Sequence, residues 1–325
     1  MKHRTGGASP APSVSRTRAA SLRLDVALIQ IHPELSRRKA REVIEKGQVS
    51  VQGETVREPG RSVTGDAAIN WDPNRPALPR ARLSLPLLHQ DESVLVVDKP
   101  AGLLTVPTSP EAQDEDTALA RVRDFVRHLT PRHPFVGVVH RIDRDTSGAV
   151  AFALTQEARQ ALRALFREHR IERRYAALVE GEPRSDQGTV ELPLRDAYEG
   201  GKRGVAKGDE PSIAALTRWK VEERFAGAAL LDVELGTGRQ HQIRVHLAHV
   251  GLPIMGDTVY NPRRNRLSVT APRQMLHARL LAFLHPVTGE RVHVGSPLPE
   301  DFRRTLAALR SGRAAKKRPP PPRRP

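Results

Sequence analysis

Cysteine is absent from all 325 residues. That excludes disulfides, thiol nucleophiles and thiolate metal sites at once, and it suits a reducing cytoplasm. No stretch approaches the roughly 18 consecutive apolar residues of a membrane helix. Nor does an apolar segment near the start resemble a secretory signal. Of 13 histidines, His246 and His249 stand three apart in a helix-like run. They lack an HExxH frame or a carboxylate at ligand spacing, so no metal site is expected. The GTG at 236–238 is not followed by Gly-Lys-Ser/Thr, which removes a P-loop. No G-x-S-x-G elbow marks a serine hydrolase. The segment Asp145-Thr146-Ser147-Gly148 occurs once, whereas aspartic-protease chemistry needs two carboxylates sharing a proton.

What the chain does have is positive charge: 53 Lys+Arg against 37 Asp+Glu, a net +16. Such an excess points to a polyanion or an acidic surface as partner. It is unevenly spread. Phe302 to Pro325 holds nine basic residues and no acid, +9 of the total. Charge in a tail of this kind signals affinity and says little about a catalytic site.

Five segments are expected. Residues 1–21 are rich in Ser, Pro, Gly and Arg without periodic hydrophobics and read as a disordered basic extension. Their composition also matches a transit peptide. Residues 22–71 form a small unit. Leu22, Leu24, Ala27 and Leu28 suggest a short helix, and Ser36 caps a second with Ala40, Val43 and Ile44 on one face and Gly47 as its stop. QVSVQGETV then reads as a hairpin turning at Gly53. Arg37, Arg38, Lys39 and Arg41 crowd the second helix near its N-terminus, an arrangement suited to a phosphate backbone, although such residues often form no more than a solvated face. Four prolines make 72–86 an extended linker.

Residues 87–310 form the large unit, with helices expected at 155–167 and 240–250 and strands at 147–154, 174–180, 228–235 and 290–295. Their irregular mixture suggests an α+β fold rather than a doubly wound parallel sheet. Residues 311–325 read as a disordered basic, Pro-rich tail.

Within the large unit, 140–148 reads HRIDRDTSG. Asp143 sits close to Arg141 and Arg144, which favour its charged form. A structural aspartate in a turn would fit the same pattern. A second arginine-histidine segment, GTGRQHQIRVHLAHVGLPIMGD (236–257), favours a functional reading. Its helix is expected to pack Ile243, Leu247 and Val250 inward with Arg244 on another side. An arginine on a rigid helix can hold a carboxylate and fix its rotamer.

These segments together resemble a known family. HRIDRDTSG is similar to the HRLDxxTSG motif of the RluA-type pseudouridine synthases, and GTGRQHQIRVHLAHVGLPIMGDTVY to their GRxHQIRxH and GxPIxGDxxY elements. DKPAGLL, RRYAALVEG and SPLPEDF resemble three further motifs, and all five keep family order between about 87 and 305. The stretches RLDVALIQ, SRRKAREVIEKGQVSVQGETV and SVTGDAAI resemble the RNA-binding domain named after ribosomal small-subunit protein four. Ile142, Gln240, Asn261 and the light AVAFALT strand (149–155) depart from the pattern without touching the matched site positions.

The resemblance implies an α+β catalytic domain with a central mixed, largely antiparallel sheet, preceded by a small α/β RNA-binding domain. It implies isomerisation of specific RNA uridines, with the base flipped from its stack. Asp143 matches the essential catalytic aspartate. Arg141 matches the arginine that enters the space left by the flipped nucleotide, Tyr175 the tyrosine that stacks on the uracil, and Arg244 the arginine that ion-pairs with the aspartate. The aspartate could attack the ring, add to the ribose or abstract a ribose proton, and those paths stay open here. No cofactor or metal is implied, because breaking one glycosidic bond and forming another is redox-neutral. Ribosomal RNA of the large subunit is the favoured partner, with tRNA second. A non-catalytic ribosome-assembly factor on the same fold is the competing class. A monomer in the cytoplasm is expected.

Overall fold

The computed structural model describes residues 21–75, 83–112, 114–130, 134–196, 202–261, 267 and 269–312. Residues 1–20 of the expected extension, 76–82 of the expected linker and 313–325 of the expected tail lie outside the described residues. The chain divides into two units, Met1–Arg82 and Leu83–Pro325.

In the first unit β1 (Ser21–Arg23) runs directly into α1 (Leu24–Ile31). Leu22 therefore belongs to a strand, where it pairs with Val63, and not to the helix expected from it. α2 (Arg37–Glu45) begins as expected: the Ser36 hydroxyl accepts the Lys39 N–H at 3.2 Å. A cap of this kind contributes about 1 kcal/mol. Gly47, at φ 73°, ends it. β2 (Val49–Val51) and β3 (Glu54–Val56) make the hairpin. Its two turn residues, Gln52 and Gly53, both have positive φ, 51° and 82°. That is the twist a two-residue hairpin loop requires. β4 (Ser62–Thr64) pairs with β1, and β5 (Ile69–Trp71) with β2. Leu24, Leu28, Ile44 and Val49 are fully buried at the centre of the small core.

The second unit is built on a ten-stranded sheet. β6 (Leu87–Gln90) and β7 (Val94–Lys99) form its first hairpin. α3 (Ala118–Leu129) and the two-residue β8 (Gly137–Val138) follow, then β9 (Ser147–Ala153) and α4 (Gln156–Arg167). Next come β10 (Glu172–Glu180), β11 (Gln187–Glu191) and the small pair β12 (Leu194–Arg195) and β13 (Ser212–Ile213). β14 (Leu216–Phe225) and β15 (Ala228–Leu235) form a long hairpin. α5 (Gln242–His249), β16 (Leu276–Leu284), β17 (Arg291–Gly295) and α6 (Glu300–Arg310) complete the chain. The sheet runs β11-β14-β15-β10-β16-β9-β7-β6, with β17 added beside β16 and β8 beside β9.

Among the described residues only β16 and β9 pair in parallel within this sheet, so it is mixed and largely antiparallel, as the resemblance implies. The parallel seam is tight. A Cβ on Gly148 would lie 2.2 Å from the Ala278 carbonyl oxygen, and its φ is 117°. Glycine alone fits there. The seam therefore fixes where the HRIDRDTSG loop enters the sheet.

Every residue of β9 is buried, and its alanines 149, 151 and 153 leave room for α4 to bring Ala158 and Leu162 against the sheet. α6 seals another part of the core with Phe302 and Leu306 against Leu178, Leu230 and Met255. Helices α3 and α6 and strands β11, β14 and β16 were not expected from sequence. β14, LTRWKVEERF, shows why: its alternation is carried by charged and polar residues with few apolar partners.

Candidate active site

The loop carrying Asp143 is pinned from several sides. Thr105 Oγ1 donates to the Ile142 carbonyl at 2.8 Å and accepts the Ile142 N–H at 3.2 Å. The buried Lys99 ammonium donates to the carbonyls of Pro100, Leu103 and Arg144 at 2.9, 2.7 and 2.9 Å. Burial pulls its pKa down to about 7, against the charges of Asp145 and Asp143. Arg273 donates to the Asp145 carbonyl and to Ser147 Oγ, and Gln274 Nε2 donates to Thr146 Oγ1 at 2.7 Å. Arg144 and Asp145, which received no catalytic role from sequence, thus hold the loop through their carbonyls. His140 does so through its ring: Nε2 accepts the Ala151 N–H at 2.9 Å. Burial and the nearby Arg173 charge lower its pKa to about 3, so the ring is neutral.

Asp143 itself makes no ion pair with Arg141 or Arg144. Its Oδ2 accepts from Arg244 Nη1 at 3.0 Å, across 101 residues of sequence. Arg244 is in turn gripped from behind. Its Nε and Nη2 donate to the two carboxylate oxygens of Asp257 at 2.7 and 3.1 Å. Asp257 also accepts the Val259 and Tyr260 N–H groups at 2.9 and 3.0 Å. Burial alone would raise the Asp257 pKa, but Arg244 and these backbone donors bring it below the usual carboxylate range. The guanidinium carbon lies 5.0 Å from the centre of the Tyr260 ring. A planar fork fixed in this way leaves Nη1 aimed at Asp143.

α5 differs from its expected pattern. Gln242 to Leu247 are all buried, Arg244 included, whereas Val250 is 43 % exposed. The helix is enclosed all round, so its polar side chains are satisfied internally rather than by solvent. Gln242 donates to the Leu216 carbonyl and Thr217 Oγ1 and accepts from Thr237 Oγ1 and the Arg239 N–H. His246, considered above for metal binding, bonds Thr217 Oγ1 and the Leu192 carbonyl instead. Among the described residues no group of three His, Cys, Asp or Glu side chains could hold a metal ion.

Immediately before α5, His241 adopts a left-handed conformation, φ 58°. Its Nδ1 lies 2.8 Å from the Tyr260 hydroxyl, which accepts the Arg203 N–H at 2.9 Å. The other ring nitrogen, Nε2, lies 4.0 Å from Asp143 Oδ2. Burial lowers the His241 pKa, with the Asp143 charge opposing, so the neutral ring prevails near neutrality.

These groups line a cleft of about 460 Å³ whose wall includes Arg141, Asp143, Tyr175, His241 and Arg244. Tyr175 projects from β10 and is 7 % exposed; burial raises its phenol pKa. Arg141 stands exposed at the edge. The four sequence-selected residues of the large unit therefore share one cavity. Asp257, His241 and Tyr260 were passed over in the sequence, though Asp257 and Tyr260 lie within the quoted GxPIxGDxxY element and His241 within GRxHQIRxH.

The remaining selected residues belong to the other unit. Arg37, Arg38, Lys39 and Arg41 are exposed on α2. Three of them have acidic partners within the unit. Arg41 Nε donates to Asp25 Oδ2 at 2.9 Å, Arg37 lies 3.8 Å from the same oxygen, and Lys39 pairs with Glu42 at 3.2 Å.

A pinned aspartate, an arginine shared with a second buried aspartate and a tyrosine thus meet in one cleft of a mixed sheet. The fold is that of human RNA pseudouridylate synthase domain containing 4, at TM-score 0.57 and 23 % identity over 69 % of this chain and 93 % of that one. Human RNA pseudouridylate synthase domain containing 1 gives 0.52 and 24 % over 70 % and 96 %.

Residues 93–249 match the RNA pseudouridylate synthase family, and 22–69 match the S4 domain. Ribosomal large subunit pseudouridine synthase D of Xanthomonas campestris pv. campestris is 37 % identical over 91 % of this chain and 92 % of its own. An RNA pseudouridine synthase of Synechocystis sp., itself uncharacterised, is 35 % identical over 89 % of each chain. The chain belongs to the RNA pseudouridine synthase family, as an isomerase with an N-terminal S4 domain.

Proposed function

We propose that this enzyme isomerises uridines of large-subunit ribosomal RNA, with Asp143 as the catalytic residue. The observation that carries the assignment is the Arg244 fork: two donors on buried Asp257 and one on Asp143 Oδ2. No described residue donates to Asp143 Oδ1, so one oxygen is held and the other is available to react. Arg244 is a positioning group that fixes the rotamer of the carboxylate. Tyr175 supplies a stacking face for the flipped uracil, worth roughly 1–3 kcal/mol. Arg141, exposed at the cleft edge, fills the space the nucleotide leaves and offsets part of the unstacking cost. The bond from ribose to ring nitrogen breaks and a bond to ring carbon 5 forms; carbon 5 gives up its proton and the freed ring nitrogen takes one up.

The choice of ribosomal RNA draws on relatives bearing that name, such as the synthase D of Pseudomonas aeruginosa, 36 % identical over 90 % of this chain. Residues 22–71 act as the RNA-binding domain through Arg37, Arg38, Lys39 and Arg41, 72–86 as linker and 87–310 as the catalytic domain. The same reading has the enzyme working as a monomer in the cytoplasm without a cofactor. Mapping pseudouridines in cellular RNA with and without the gene tests it. A site lost on deletion, restored by wild type and not by Asp143→Asn, is the expected result. Restoration by the asparagine variant would sink the role given to Asp143.

A further inference from the structure

Arg173 and Arg174 are adjacent on β10 and so point to opposite faces of the sheet. Arg174 is 39 % exposed and is held by the Asp232 carboxylate. Arg173 is 8 % exposed and has no carboxylate within ion-pair distance among the described residues. That is the reverse of what solvation requires, since the buried cation needs a counter-ion more than the exposed one. Its Nη2 makes one long bond, 3.4 Å, to the Leu235 carbonyl, and its Nε is buried with no acceptor. The guanidinium carbon lies 5.6 Å from the centre of the Phe166 ring. At Gly238 a Cβ would come within 2.3 Å of Arg173 Nη1, so the glycine gives the guanidinium its place.

Arg173 lines the active-site cleft alongside Arg141, Arg167 and Arg239. Asp143 is the only acid in that lining, and its carboxylate is engaged by Arg244. His140 beside Arg173 is neutral and adds no charge. Arg173 is thus a cleft cation that, among the described residues, has no acid of its own. Tyr175 sits two residues further along the same face of the strand, roughly 7 Å away. That spacing matches the separation of a uracil ring from the phosphate of its own nucleotide.

We propose that Arg173 is a phosphate-binding residue, its terminal guanidinium N–H donors taking non-bridging oxygens of the backbone phosphate that accompanies the flipped uridine. The RNA supplies the counter-ion the protein omits. Binding then couples base entry to backbone seating, since stacking on Tyr175 and charge pairing at Arg173 occur on one rigid strand. The proposal rests on the uridine-isomerising reading above.

The test uses the full-length protein, Arg173→Gln and Arg173→Lys, titrated with uridine, uridine 5′-monophosphate and uridine 3′-monophosphate at low salt. Wild type should bind at least one monophosphate roughly tenfold tighter than uridine, the scale of a charge-assisted pair. Arg173→Gln should lose that preference and Arg173→Lys keep part of it. Whichever monophosphate is preferred identifies the flanking phosphate. The free Arg173→Gln protein should melt no earlier than wild type, because the substitution removes an unpaired buried charge. An unchanged preference in Arg173→Gln, or no preference in wild type, would overturn the proposal. So would an early melt in both variants with the preference intact, which would make Arg173 a structural cation. Tritium release from large-subunit ribosomal RNA labelled at carbon 5 of its uridines is scored separately. A wild type that discriminates the monophosphates yet releases no tritium would refute the assigned reaction and leave the anion site standing.

Discussion

In each unit a sequence-distant arginine holds an aspartate. In the first, Asp25 has a side chain with no exposure, and it accepts from Arg23 at 3.0 and 3.2 Å and from Arg41 at 2.9 Å. The arginines around it are 47–62 % exposed. There the acid is the hub and the cations are its cover. In the second, Arg244 is the hub, 7 % exposed and doubly bonded to Asp257. Asp143 is the peripheral member, 22 % exposed with a single donor. The first arrangement satisfies a buried carboxylate for good; the second holds a carboxylate still while leaving it able to react. On the proposed reading, what separates the structural acid from the catalytic one is which partner is buried and which still has a free oxygen.

Substituting each acid in turn is the strongest way to break this comparison. Asp143→Asn should lower tritium release from labelled RNA by roughly 10³-fold or more, with the melting temperature little changed. Asp25→Asn should leave turnover intact. Equal losses from the two would erase the distinction. Arg244→Met tests the hub. It strands the buried Asp257 carboxylate and should destabilise the catalytic unit by about 3–5 kcal/mol in denaturant unfolding. Lys99→Met removes three donors from the carbonyls that fix the Asp143 loop. At about 1 kcal/mol per bond, a loss near 3 kcal/mol is expected.

The Asp25 cluster predicts a smaller, pH-dependent effect. Burial would raise this carboxyl's pKa, but the hydrogen bonds and charges of Arg23 and Arg41 win and lower it to about 2. Its folded value lies below the unfolded one of about 3.9, so its stabilisation is complete above about pH 4. It drains away as pH falls through about 2. Asp25→Asn should cost about 1 kcal/mol at neutral pH, since exposed arginines are screened by solvent. The variant should also show a shallower stability loss between about pH 4 and pH 2 in acid titration of unfolding. The smallest effect belongs to Arg38, which has no ion pair among the described residues. Arg38→Ala should reduce the slope of log affinity for RNA against log salt by roughly 0.7–0.9. Arg41→Ala, whose partner is Asp25, should reduce it less and destabilise more.

Local features of the fold were legible in the sequence. Ser36, Gly47 and Gly53 mark the cap, stop and turn of the small unit because each acts on backbone within a few residues. Thr155 likewise caps α4, its side chain accepting the Ala158 N–H. β15 occupies 228–235 as its apolar run indicates. Elements with charged alternation escaped notice. The burial of α5 escaped too, because Gln242, Arg244 and His246 are polar yet buried, their partners supplied by distant segments.

The sequence alone determined the kinds of groups in this protein: a cysteine-free, strongly basic chain, an aspartate in HRIDRDTSG, a tyrosine in RRYAALVEG and an arginine in GRQHQIR. Tertiary structure decided which arginine holds the aspartate. The sequence neighbours Arg141 and Arg144 do not, and Arg244, 101 residues away, does. It also decided that Arg173 has no acid of its own among the described residues while Arg174 beside it does. The reason is physical. Local sequence governs backbone torsions and caps within a turn or two, whereas ion pairing and burial depend on which distant strands the sheet brings together. Gly148 sets that registry, admitting the β9–β16 contact that seats the loop of Asp143.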